Sequence, residues 1–130
     1  MEKIQIGLQL HSVREDFAEN PEMTLQKVAE MGYQGVELVY SALTREAEYY
    51  TQLLKQTGLA CYSVMMDWKE LQPGVLEEAL AYCKKLPCDC VVIGSLHLGP
   101  LAEQPDYDQF LLNFVKTAAE TINPMISAAK

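Results

Sequence analysis

Glu37 is a lone carboxylate between Val36 and Leu38 in the apolar stretch GVELV, and a carboxylate there needs a cation, a hydrogen-bond donor or a wet pocket beside it. Arg14 is one candidate partner. Glu37 reads either as a substrate-facing group or as half of a structural ion pair. Upstream, Gln9, His11, Ser12 and Arg14 crowd the end of the alternating run IQIGLQLH, with Gln9 and His11 on its polar side. His11 is either a ligand contact or a histidine satisfied by its neighbours. Tyr40, Met65, Asp67, Trp68, Ser95 and His97 fall where later strands are expected to end. Asp67-Trp68 sets a carboxylate beside an aromatic platform, which suits sugar hydroxyls and a ring face, and equally suits a loop cap. His97, just before Gly99-Pro100, is more readily a loop residue than a ligand.

These residues gain meaning from the elements that carry them. Ile4, Ile6, Leu8 and Leu10 alternate with Gln5, Gly7, Gln9 and His11, which is the period of a strand over residues 4–11. A loop holding Arg14, Glu15 and Asp16 leads to Asn20-Pro21, an N-cap followed by proline at the first helical position. Leu25, Val28 and Ala29 form the helical stripe and Gly32 ends it. The pattern repeats with a strand at 35–39 and a helix from about Thr44, whose face is Ala47, Tyr50, Leu53 and Leu54, closed by Gly58. A third strand spans 59–67. After Gln72-Pro73-Gly74 comes a helix burying Val75, Leu76, Ala79, Leu80 and Cys83. The β-branched run CVVIGS at 90–95 predicts a fourth strand in a parallel sheet covered on both faces. A last helix is expected from about Asp106, interrupted near Pro124.

Four strand-helix units in series imply an α/β protein with right-handed βαβ crossovers, and ligands in such folds gather at the carboxyl ends of the strands. A complete eight-unit barrel needs roughly 250 residues. Residues 1–130 therefore read as a single (β/α)4 half-barrel that stops before a fifth strand. The expectation is a fragment of a longer enzyme, with a truncated reading frame second.

Several chemistries are absent from the sequence. There is no P-loop, GxGxxG, GxSxG or HExxH, and the two histidines and scattered carboxylates show no metal-ligand spacing, so no metal site is assigned. Cys61, Cys83, Cys88 and Cys90 include no CxxC pair and have no histidine nearby, which favours reduced, mostly buried thiols over zinc or disulfides. A formal net charge of -8 with ten scattered Lys and Arg argues against nucleic acid. No leader and no apolar run of about 18 residues is present, so neither secretion nor membrane spanning is expected, and a cytoplasmic location follows by default.

GLQLHSVRED at 7–16 together with MGYQGVEL at 31–38 resembles the opening of the sugar phosphate isomerase/epimerase family, the xylose isomerase-like barrels that include endonuclease IV. The resemblance continues through QLLKQTGLACYSV at 52–64 and VVIGS at 91–95. It implies the N-terminal half, (β/α)4, of a TIM (β/α)8 barrel. It further implies a divalent cation, Mn, Mg, Zn or Co, in the full-length enzyme, and proton transfer between adjacent carbons of a sugar or polyol through an enediolate. The family's metal ligands come from the second half of the barrel, so none maps here, and this chain alone is expected to be inactive. Gln9, Ser12 and Arg14 match the family's first-strand motif and Glu37 its second-strand carboxylate. The family's frequent histidine near the end of strand three is replaced by Val64-Met65-Met66-Asp67. The resulting substrate-side set is His11, Arg14, Glu37 and Trp68.

Two other readings stand beside this one. A stand-alone half-barrel would have two raw sheet edges and should self-associate as a binding or scaffold protein, or pair with a C-terminal half. A flavodoxin-like receiver has similar length and rhythm, but it calls for an acidic pair after strand one, where this chain has His11-Ser12.

Overall fold

In a computed structural model the chain divides into two units, Met1–Ser95 and Leu96–Lys130. The structure describes residues 4–67, 70, 74–95 and 116. Trp68, His97 and nearly all of the helix expected from Asp106 lie outside them, Lys116 being described as helical.

The first unit holds four strands, β1 (Gly7–Gln9), β2 (Gly35–Val39), β3 (Ala60–Asp67) and β4 (Val91–Ser95), in one sheet of order β1-β2-β3-β4. Every pairing is parallel. Parallel neighbours cannot be joined by a hairpin, and the helices α1 (Arg14–Glu19), α2 (Pro21–Glu30), α3 (Ala47–Thr57) and α4 (Val75–Cys83) provide the crossovers. The class is α/β, as the alternating strand and helix periods predict.

The punctuation in the sequence sets the helix ends. Asn20 Oδ1 accepts the Met23 N–H at 3.0 Å, and Pro21 opens α2, where its missing N–H costs nothing. Gly58, at φ 70°, closes α3 in the left-handed conformation that an L side chain resists. Leu25 and Val28 of α2, Tyr50, Leu53 and Leu54 of α3, and Leu76 and Cys83 of α4 are buried at helical spacing. All of these but Leu76 belong to the same core cluster as Val36, Leu38, Val64 and Met66 of the sheet, and Ala79 joins Cys83 there from α4. Gln34 ties the near end of the sheet together: its N–H donates to Ile6 O, its Oε1 accepts the Ile6 N–H, and its carbonyl accepts from Ala60 N.

Val75, expected on the buried side of α4, is 43% exposed, and three further local expectations are corrected. The strand expected over 4–11 pairs only at Gly7–Gln9, and Leu10–Val13 is a 3-10 turn. The loop expected around Arg14 is instead α1. Both changes share one cause: turning at Leu10 buries Leu10 and Phe17, each 2% exposed, and stacks Phe17 on Tyr50 at 6.0 Å. Ile4 and Ile6 stay 85% and 59% exposed. On β4, Val91 and Val92 remain 41% and 37% exposed, so the β-branched run expected to be covered on both faces is only partly covered.

Candidate functional site

Parallel register brings Gln9, Glu37 and Ser63 side by side on three successive strands. Each projects from the same face, opposite the buried Val36 and Leu38. Gln9 Nε2 donates to Glu37 Oε1 at 2.5 Å, and Ser63 Oγ donates to Glu37 Oε2. The carboxylate is therefore held from both sides by neutral donors. A bulge makes this alignment possible: the β2–β3 register shifts between Val36 and Glu37, leaving Tyr62 as the extra residue and setting Ser63 opposite Glu37.

Side chains below and above this row fill the same face. The Tyr62 ring lies over Gly7 and Gly35, where added Cβ atoms would fall 2.6 Å and 2.5 Å from it, and its hydroxyl donates to Gln5 Oε1 at 2.9 Å. Met65 Sδ accepts from Gln9 Nε2 at 3.5 Å and also occupies the space a side chain on Gly94 would need. In a flat sheet β1 and β4 would stand about 14 Å apart. Met65 stands on β3 between them, so one thioether touches a side chain from the first strand and the backbone of the fourth.

At the carboxyl end of β3 stands a second carboxylate, Glu70, only 7% exposed, whose Oε2 accepts the Asp67 N–H at 2.6 Å. Another register shift, between Met66 and Asp67, aligns Asp67 with Ser95 at the strand ends. Tyr40, just after β2, packs edge-on against Tyr82 at 5.7 Å. Burial raises the pKa of its hydroxyl, and the Cys83 thiol, Glu78 and Glu70 raise it further.

Glu37 is thus placed at the centre of the row, but its partner is not Arg14. The Arg14 guanidinium donates to His11 O at 3.3 Å and lies 3.7 Å from Glu15, with both side chains well exposed. His11 itself is exposed on the 3-10 turn rather than on that face of the sheet, because strand pairing ends at Gln9. Trp68 lies outside the described residues, so the pairing of Asp67 with an aromatic platform does too. Ser63 and Glu70 are the residues sequence reasoning missed. Ser63 was findable, as a polar residue inside an apolar strand. Glu70 carried no signal beyond being an acid shortly after a strand.

No group of three or more His, Cys, Asp or Glu among the described residues could hold a metal ion. No helix among them is long and apolar enough to cross a membrane. A groove of about 480 Å³, lined in part by Leu8, Val13, Met23, Val28 and Met31, runs between the edge strand β1 and α1–α2, away from the Gln9–Glu37–Ser63 row.

No protein-family model matches the chain, and no curated protein matches it. Its fold is similar to that of a solved structure, a sugar phosphate isomerase/epimerase from Parabacteroides distasonis ATCC 8503, with a TM-score of 0.58 and 18% sequence identity. The match covers 74% of this chain and 40% of that protein, so the chain corresponds to less than half of it. What the two have in common is a fold: this chain is an α/β protein of four parallel strands in chain order, shared with part of that isomerase/epimerase.

Proposed function

We propose that this chain is part of a sugar or polyol isomerase/epimerase in which Gln9, Glu37 and Ser63 line the substrate side of the site. The observation that carries the reading is the carboxylate row on one face of a sheet whose fold resembles part of a protein named for that activity. A carboxylate offers about four lone-pair positions. Gln9 and Ser63 use two, leaving capacity for substrate hydroxyls while the orientation stays fixed. Epimerisation and aldose–ketose exchange move a proton between adjacent carbons, and a divalent cation would polarise the oxygens involved. The described residues do not fit the role of holding that ion. Their part is to orient the polyol chain, while acid, base and metal come from elsewhere in a complete enzyme.

Calorimetric titration of the chain with a panel of aldose and ketose phosphates and cyclic polyols tests this. Saturable binding that weakens at least tenfold in Glu37→Gln, with circular dichroism unchanged, is expected; identical binding by the variant sinks the assignment of Glu37.

A second reading, a stand-alone binding or scaffold protein that self-associates, draws on exposed Ile4, Ile6, Val91 and Val92 beside or on the two outer strands. Concentration-dependent sedimentation without any sugar binding would favour it.

A further inference from the structure

We propose that Cys61 and Cys88 are a reversible disulfide site, closed by a small-molecule disulfide of the glutathione class, that ties β3 to the segment entering β4. The register places them together. Val64 pairs with Val91, and the Val64 N–H donates to Cys90 O at 2.9 Å. Cys61 lies three residues before Val64 and Cys88 three before Val91, so the two chain segments approach that pairing side by side, and the Cys61 and Cys88 thiols hydrogen-bond. Adjacent strands lie about 4.8 Å apart, within the roughly 4.4–6.8 Å between Cα atoms that a disulfide spans.

The side chains agree with the register. Cys61 and Cys88 both pack against the same buried core, and both are reduced and half-buried. Burial raises the Cys61 thiol pKa, and after burial the Cys88 thiol is the strongest influence on it, ahead of Cys83. Cys83 is buried on α4, in the helix layer, and Cys90 is exposed. Cys61 lies on β3 and Cys88 on the segment that leads into β4.

The chemistry balances by exchange. Cys88 thiolate attacks one sulfur of glutathione disulfide, forming a mixed disulfide and expelling one glutathione thiolate. Cys61 thiolate then attacks the Cys88 sulfur and expels the second. The two protons lost by the protein thiols are taken up by the two glutathione thiolates. The protein pair is oxidised by two electrons and glutathione disulfide is reduced by the same two. Because burial keeps Cys61 protonated near neutrality, closure should be slow at pH 7 and quicken with each step up in pH. The bridge also removes the S–H that Cys61 donates to Ser63 O at 3.7 Å, next to the Ser63 hydroxyl that holds Glu37. Oxidation would therefore be felt in the polar row.

The test is to incubate the native chain with glutathione disulfide at pH 8, trap free thiols with iodoacetamide, and map the unreduced peptides by mass. A peptide linked through Cys61 and Cys88, with loss of two alkylatable thiols and reversal by dithiothreitol, is expected. Cys83→Ser and Cys90→Ser should retain that peptide, and Cys61→Ser and Cys88→Ser should lose it. Glutathione adducts without the linked peptide, or a bridge between any other pair, would overturn the proposal. The wild-type map decides even if a variant fails to fold.

Discussion

A carboxylate on a sheet face is defined by what stands beside it in register, and Glu37 owes its geometry to one residue on each neighbouring strand. Ser63→Ala removes the donor to Glu37 Oε2 and should cost about 1 kcal/mol, read as a lower urea midpoint at unchanged slope. An unchanged midpoint would mean that water replaces the hydroxyl without loss. Gly35→Ala is the harsher change. Its Cβ would meet the Tyr62 ring at 2.5 Å and the Ala60 carbonyl at 2.7 Å, and the backbone oxygen cannot swing away. A loss of about 1–3 kcal/mol is expected from such overpacking, measured by thermal unfolding. At this scale the sequence was half legible. A lone acid between aliphatics announced Glu37, whereas the choice of Gln9 and Ser63 over Arg14 depended on where β1 ends and where β3 bulges, and neither is written in a local pattern.

Elements were read best where an apolar stripe and its punctuation agreed. α2, with Asn20-Pro21 at one end and Leu25 and Val28 on its buried face, was predicted nearly to the residue, and α3 was predicted at its close by Gly58, although it starts at Ala47 rather than about Thr44. α1 was missed because its six residues bury only Phe17, and one buried residue has no period. Asn20→Ala, which loses the bond to Met23 N, should cost about 1 kcal/mol. Gly58→Ala should cost about 1–2 kcal/mol through its positive φ alone, since nothing lies within 4 Å of the added methyl. If chemical denaturation shows Gly58→Ala to be neutral, the end of α3 relaxes instead of straining.

For the molecule as a whole, buried weak acids tilt stability against alkali. Burial, with the Cys88 thiol second, pushes the Cys83 thiol up from 9.0 to about 11, and burial raises Cys61 and Tyr82 as well. A group whose pKa is raised on folding contributes fully below its unfolded value and loses that contribution as pH rises through the folded one. Stability should therefore be level up to about pH 9 and decline toward pH 11 and beyond, in thermal melts run across that range. Cys83→Ala should soften the decline. A flat alkaline profile would mean these groups are more hydrated than their burial implies.

The strand order bears on how the molecule is made. Gly7 meets Gly35, Gly35 meets Ala60 and Val64 meets Val91, so each strand joins the one synthesised just before it after a loop of roughly thirty residues, and each closure carries a similar entropy cost. Among the described residues no strand pairing waits for a distant partner. A chain emerging from the ribosome can add its strands one by one in the order of translation, each completed strand serving as the template for the next.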